Sequence, residues 1–455
     1  MKIITKCSAL LAAFILSSLL FACGGEDQVE VPWQDPPGVR FAYPYPGQTE
    51  VPVSVSLVFH FSEALDEDAR DNIADRLDVK VEGSDGSIAG SYTFASDGRS
   101  LLIRPDQSLE PATEYRLELD GKLSSASDEM ESSVFKDFRF TTAGLHEGAR
   151  ERLGNGDFAL LEVSPLDSPA TVGDLPLVDY STFRLAFNYP LASDSPGYGD
   201  TVRLERRISK DNYELVDKVS VVHQGRYLAI DPLQDLDPDG EYRLVLDGLE
   251  NQFGETLPRT VRDGLEPRDT APREVTRIKV GSFDDQGGAG SRLTGEQLNS
   301  IPLNSFLLGN NASTKLTGDI TANLGFVPKF ADAVPLRIPR GSVLTGSRVD
   351  VNLLGEIPAG LETGYIKVTL VSDANGYLIP NPFSDATDAP RYAVLNMDAA
   401  LTAEGTEANA ALSQTLVNVQ IVGLAIAEGK SLVIDAVSAI EPDVLGLERA
   451  AGFLS

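Results

Sequence analysis

The chain has little of what site chemistry usually needs. Its 455 residues include 2 cysteines, 3 histidines, 3 methionines and 1 tryptophan. The cysteines are Cys7 and Cys23, so nothing beyond residue 23 can form a disulfide or a thiolate metal site. His60, His146 and His223 stand far apart, without the spacing of a metal-binding pair. No G-x-S-x-G elbow, phosphate-cradling glycine loop or H-E-x-x-H helix occurs. Long apolar runs are scarce as well. One run, Ala9 to Phe21, is about a dozen residues, short of the about 20 that cross a bilayer as a helix. Basic charge is also low: 38 Lys and Arg face 68 Asp and Glu, for a net charge of −30. Such a surface repels nucleic acid and anionic headgroups, so no nucleic-acid partner is expected.

What is present begins at the N-terminus. Lys2 and Lys6 precede the apolar run, the layout of a secretory signal. The run ends in Leu20-Phe21-Ala22-Cys23, which resembles the bacterial lipobox, with a bulkier residue than usual at Phe21. The resemblance implies a lipoprotein signal peptide over 1–22, cleavage between Ala22 and Cys23, and acyl chains on Cys23. Loss of Lys2 and Lys6 would take the charge from −30 to −32. Gly24, where Asp favours inner-membrane retention, implies a lipid anchor in the outer membrane, facing the periplasm or the exterior. Residues 23–39 read as a lipidated tether, polar and rich in Pro and Gly, that includes Trp33. Residues 24–38 reach about 50 Å when extended.

Beyond the tether the patterning is that of strands. Val53, Val55, Leu57, Phe59 and Phe61 alternate with mostly polar neighbours, a period of two with one face buried. Leu65, Ala69, Ile73 and Leu77 then recur every fourth residue among acids, which predicts a short amphipathic helix opening at Ser62. A repeat follows. GRSLLIRPDQSLEPATEYRLELDG (98–121) aligns without a gap to GRYLAIDPLQDLDPDGEYRLVLDG (225–248), with 15 of 24 positions identical. Two copies of one domain are therefore expected. PYPGQTEVPVSVSLVFHFSEALD (44–66), the 98–121 block and FRFTT (138–142) resemble the SbsA-type bacterial Ig-like domain, through Pro44, Gly47, Val51, Pro52, Phe61, Ser62 and Glu63. The family's Asp-x-x-Gly-Asn before the last strand is missing here, and the second copy keeps mainly the central block. The resemblance implies Ig-like sandwiches at 40–143 and 158–265 that serve surface architecture, adhesion or spacing, and it carries no catalytic residue.

Residues 273–455 show further alternation, punctuated by Gly, Asn, Asp and Pro, with Asn375-Gly376 as a hairpin-turn signal. They predict a larger β-rich, sandwich-like domain. Val444, Leu447, Ala451 and Leu454 fit one face of a terminal helix. The expected fold class is thus all-β: two tandem Ig-like sandwiches followed by a larger C-terminal domain.

Candidate sites are few. Asp235, Asp237 and Asp239, followed by Gly240, match the opening of a calcium loop. Pro238 at the fourth place and Leu246 at the twelfth, where a Glu should bind, favour a turn instead. Glu63, Asp66, Glu67, Asp68, Asp71, Asp75 and Asp78 read as the solvent face of the helix. Tyr43, Tyr45, Tyr365, Tyr377 and Tyr392 include candidates for a sugar-stacking platform or for strand-edge packing. No catalytic residue, cofactor or firm metal site is assigned. The expectation is a non-enzymatic envelope lipoprotein. Its Ig-like modules act as spacers or adhesion units in series and present the C-terminal domain to an envelope glycan, lipid or protein. The alternatives are a carbohydrate-active hydrolase or a structural component of an envelope assembly, with the site in the C-terminal domain.

Overall fold

The alternation around Val53–Phe61 becomes the strand Leu57–Phe61, in which all but His60 is buried. A computed structural model describes residues 38–125, 129–130, 135, 138–153, 156–280, 290–305, 309–353, 357–362, 364–386, 388–404, 413–428, 431–444, 448–449 and 451–454. Leu57–Phe61 lies in a sheet ordered Val39–Tyr43, Leu57–Phe61, Ser100–Pro105, Gly90–Phe94. The facing sheet is ordered Gln48–Val51, Arg139–Thr142, Glu114–Leu119, Leu77–Val81, and its first two strands are parallel. Phe59, Phe61, Tyr115, Phe138 and Phe140 fill the space between them.

The second sandwich repeats this plan. One sheet is ordered Leu160–Ser164, Phe183–Phe187, Tyr227–Pro232, Val219–Gln224; the other Asn212–Leu215, Val202–Ser209, Tyr242–Leu246, Thr260–Leu265. The repeated Glu-Tyr-Arg-Leu has a common physical use. The Tyr115 hydroxyl accepts the Glu110 N–H at 2.7 Å, and the Tyr242 hydroxyl accepts the Asp237 N–H at 2.8 Å. Each ties a strand back to the turn five residues upstream, the tyrosine-corner device of Ig-type sandwiches.

The helix expected from Ser62 is shorter than its pattern. A helix covers Glu67–Asp71, a 3-10 turn covers Ile73–Asp75, and Leu77 already opens a strand. Leu65, Ala69, Ile73 and Leu77 are all buried, so the four-residue spacing marks the core while the backbone changes conformation beneath it.

The C-terminal region forms one 11-stranded sheet that curls and closes on itself. From Ser300–Ser305 the ladder passes through Ala451–Leu454, Ser431–Ile440, Ser413–Glu428, Arg391–Glu404, Tyr365–Leu370, Val343–Gly346 and Gly309–Leu324, then returns to Ser300–Ser305. Val334–Ile338 and Ala374–Ile379 bridge Gly309–Leu324 to Arg391–Glu404, and Glu274–Val280 adds to the free edge of Gly309–Leu324. The opposed walls face each other over a shared core, as the layers of a sandwich would. Two sequence expectations change here. Ala451–Leu454 is a strand: Leu454 turns to the interior while Phe453 packs on Tyr43, an alternation no helix face allows. Asn375-Gly376 lies inside the strand Ala374–Ile379, laddered on both sides, and makes no turn. A Cβ on Gly376 would lie 2.3 Å from the Val394 carbonyl oxygen, so the glycine serves a close backbone approach.

The sandwiches do not stand in series. Both dock on the curled sheet, and residues 37–455 form one compact unit. Phe41 and Tyr43 of the first sandwich meet Tyr392 and Phe453 at centroid distances of 5.6 and 6.1 Å. The Tyr392 hydroxyl donates to the Ala42 carbonyl at 2.8 Å, and the Tyr43 hydroxyl accepts the Ala439 N–H at 3.0 Å. The second sandwich docks through Arg184, whose guanidinium donates to Asp398 Oδ2 at 2.9–3.0 Å. Those side chains are 2% and 0% exposed. Arg184→Ala would leave Asp398 buried without its counter-charge, a destabilisation of about 3–5 kcal/mol. The denaturant midpoint should fall accordingly, and the apolar pair Arg184→Met with Asp398→Leu should recover part of the loss. An unchanged midpoint for Arg184→Ala would refute the assignment of this contact as the anchor.

Candidate functional site

The inner face of the curled sheet is its most uniform surface. Alternate residues along each strand turn inwards: Leu316, Ile320 and Ala322; Ile366, Val368 and Leu370; Ala393, Ala399 and Leu401. Leu395, Met397, Val419, Leu432 and Ile434 complete the lining. The buried hydroxyls of Thr314 and Ser438 bond to the Ser347 and Gln420 carbonyls. Where no sandwich covers it, the outer face carries Arg277, Lys279, Asp319, Thr321 and Thr345 together with Val275, Val343, Tyr365 and Val433, all exposed. A uniformly apolar inside behind a mixed outer face differs from a transmembrane barrel, whose lipid-facing side is the apolar one. Gly376 and Gly423 allow the tight curl. A Cβ at Gly423 would meet the Asp435 carbonyl oxygen at 2.3 Å.

A polar network covers the junction with the second sandwich. Arg337 reaches Asp373 at 2.6 Å and Asp235 at 3.0 Å, while Arg273 reaches Asp235 at 2.7 Å and Asp179 at 2.5 Å. Both guanidinium groups lie over the Tyr180 ring, at 5.4 and 5.0 Å. Arg340 Nη1 stands 2.8 Å from Asp231 Oδ2, an ion contact off the line of a hydrogen bond. Burial, with the neighbouring Asp373 charge, pushes the Asp231 carboxyl up to about 6, against the hydrogen bond from Thr182. Asn375 accepts the Thr182 N–H and donates to the Tyr180 carbonyl.

Where both sandwiches and the sheet meet, a cleft of about 80 Å³ is lined by Tyr43, Gln48, Glu50, His146, Glu162, Tyr227, Asn396 and Glu441, among others. Its carboxylates are engaged. Glu50 takes Arg226 at 2.8 Å on one oxygen and the Tyr227 hydroxyl at 2.8 Å on the other. Glu441 accepts from Ser54 at 2.8 Å, and Glu162 accepts the Thr49 hydroxyl at 2.6 Å. Burial is the main cause that raises the Glu162 carboxyl to about 7; the Thr49 hydrogen bond opposes it and the Glu50 charge adds to it. These groups join three bodies, and their partners are protein atoms.

The residues singled out by sequence fall in several places. Ala22, Cys23 and Trp33 lie outside the described residues. Asp235 holds Arg273 and Arg337, Asp237 pairs with Arg206 and accepts the Asp239 N–H, and the turn opens the Tyr242–Leu246 strand. Among the described residues no three His, Cys, Asp or Glu side chains gather as a metal-holding group. His60 bonds Ser100, His223 bonds the Ser193 carbonyl, and the His146 ring packs on Tyr227. Tyr43, Tyr45, Tyr377 and Tyr392 are buried at junctions, and Tyr365 is exposed. Sequence reasoning missed Arg184 and its acceptors. The available signal was Arg184 in FRLAF (183–187), where the corresponding first-sandwich strand LVFHF (57–61) has Val58, a charge inside a strand that is otherwise apolar.

A family model for a bacterial Ig-like domain matches residues 34–142. The chain is 30% identical, over 472 aligned positions, to alkane uptake protein B of Marinobacter nauticus. The match takes in 96% of this chain and 42% of that protein, so the chain spans under half of its relative's length. Among solved structures, the S-layer protein rSbsC(31-844) aligns at 11% identity with a TM-score of 0.19, over 91% of this chain and 62% of its own. L,D-transpeptidase 3 from Mycobacterium tuberculosis aligns at 15% identity with a TM-score of 0.16, over 41% and 64%.

The raised Glu162 carboxyl has a signed consequence. Its contribution to stability is complete below the ordinary value of 4.5 and is lost as pH climbs through about 7. Glu162→Gln removes that loss. Melting temperatures of the two proteins should coincide near about pH 4 and separate by about pH 8, with the variant higher. Equal melting temperatures at both ends would show that the cleft does not hold Glu162 as described.

Proposed function

We propose that this chain is an envelope-associated, non-enzymatic protein that takes part in the uptake of alkanes or similar unbranched apolar molecules, with the inside of the curled sheet as the part that meets them. One observation carries the reading: the similarity to an alkane uptake protein runs through 96% of this chain, and so includes the curled sheet with its apolar inner face. An apolar interior suits a molecule that water rejects. The assigned units are a lipid-bearing tether at 23–39, SbsA-type Ig-like sandwiches at 40–143 and 158–265, and the curled sheet at 273–455. In this reading the sandwiches clamp the sheet and hold its curvature, a role different from a spacer. The lipid on Cys23 keeps the assembly at the outer membrane, where apolar molecules arrive.

Two measurements test this. An apolar fluorophore titrated into the purified chain should bind saturably and be displaced by linear alkanes. Displacement should strengthen by about fourfold per added methylene until the interior is filled, since each buried methylene contributes about 0.8 kcal/mol. Binding that never saturates would reject the reading. Separately, Cys23→Ser should move the folded protein from the membrane fraction to the soluble one. Retention in the membrane fraction would rule out the lipid anchor.

A further inference from the structure

The wall of the curled sheet has a stretch without a ladder. Glu274–Val280 bonds to Gly309–Leu324 along one edge, from Glu274 opposite Leu324 to Val280 opposite Gly318. Its other edge runs beside Ser431–Ile440, and among the described residues no backbone hydrogen bond joins the two. On that side Ser431–Ile440 is laddered only at Ser438–Ile440, to Ala451–Leu454. The two strands therefore run side by side with a seam between them, and Ser291 and Arg292 hold Asp435 beside it. Ile278 and Val280 on one side, and Leu432 and Ile434 on the other, pack on the apolar core with part of their surface exposed. On the outer rims Val275 is 69% exposed and Val433 45%. Exposed aliphatic rims on both sides of a gap into an apolar core are unfavourable in water, and contact with an apolar molecule removes that cost.

We propose that this seam is a lateral entry, through which an unbranched alkyl chain passes between the two strands into the interior of the sheet. The inference rests on the alkane-uptake reading and names its route. The occupant follows from the rims. The residues that face the core across the seam, Ile278 and Val280 against Leu432 and Ile434, are aliphatic on both sides, which matches an alkyl chain. A gap between neighbouring strands is also narrow, which favours a linear chain over a ring system.

The test closes the seam reversibly. In the full chain with Cys7→Ser and Cys23→Ser, Lys279→Cys or Arg277→Cys is combined with Val433→Cys and joined by a reducible bis-maleimide. Uptake of an alkyl-pyrene is followed by stopped-flow fluorescence. The linked protein should take up the probe about tenfold more slowly or not at all, and reduction should restore the rate. Val343→Cys with Thr369→Cys, opposite each other in an existing ladder, is the control and should change nothing when linked. Equal rates for linked and reduced seam variants, or equal slowing in the control, would overturn the lateral entry while alkane uptake stands. Absence of any seam cross-link by mass would overturn the adjacency and the entry with it. No probe uptake by the unlinked protein would instead bring down the alkane-uptake reading and, with it, the entry.

Discussion

The strand Arg391–Glu404 is buried on both faces, and the rest of the structure is arranged around that constraint. Ala393, Leu395 and Met397 turn into the curled sheet, while Tyr392 and Val394 turn out against the first sandwich. The same alternation turns Asp398 outward to Arg184 of the second sandwich, and the register shift beside it places an extra residue in Ser413–Glu428, between Leu416 and Val419, where Asn418 has φ 61°. A strand apolar on both faces cannot be left half in water without a large exposed apolar patch. The outward aromatics therefore need a partner surface, and the sandwiches supply it. This is why the modules pack side by side on the sheet, although tandem repeats behind a tether read as a stalk.

The two sandwiches hold the sheet by different physics. The first uses buried rings and a few hydroxyl-to-backbone bonds, which contribute area and little direction. The second uses a connected set of guanidinium and carboxylate groups around Arg184, Arg337 and Asp373. Desolvating such charges costs much of what their pairing contributes, so the network adds less to net stability than its bond count implies. Its geometry is demanding, however: Arg184 must reach Asp398, the Asp373 carbonyl and Ser372 at once. The apolar contact keeps the first sandwich on the sheet, and the polar one fixes the angle and register of the second.

The legible parts of this fold were those with a local cause. Alternation in Leu57–Phe61 and the repeated Glu-Tyr-Arg-Leu announced strands and a duplicated sandwich, because side-chain period and the tyrosine corner are set within a few residues. The misread parts depend on distant segments. Asn375-Gly376 has the composition of a turn, but Val394 and Leu395, brought alongside by the ladder, require the glycine for close approach. Ala451–Leu454 has spacing compatible with a helix, and the free edges of Ser300–Ser305 and Ser431–Ile440 draw it into a strand. The junctions were hidden for the same reason. Arg184 looks like one more charge until Asp398, more than two hundred residues away, is placed beside it.

Closure of the sheet and docking of the sandwiches together decide where the wall can yield. The first sandwich backs Arg391–Glu404 and the end of Ser431–Ile440, through Tyr392 and Ala439. The second backs Ala374–Ile379 through Asn375 and Tyr377, the turn at Ser372-Asp373, and Asp398. Val343–Gly346 and Tyr365–Leu370 have no sandwich behind them, but each is laddered to a neighbour on both edges. Glu274–Val280 is laddered on one edge, and among the described residues no backbone bond joins its other edge to Ser431–Ile440. Prising apart a laddered pair breaks several backbone bonds, and lifting a docked face breaks a buried junction, whereas parting these two strands breaks neither. The docking that stiffens the rest of the sheet thus leaves this seam among the places where opening costs least.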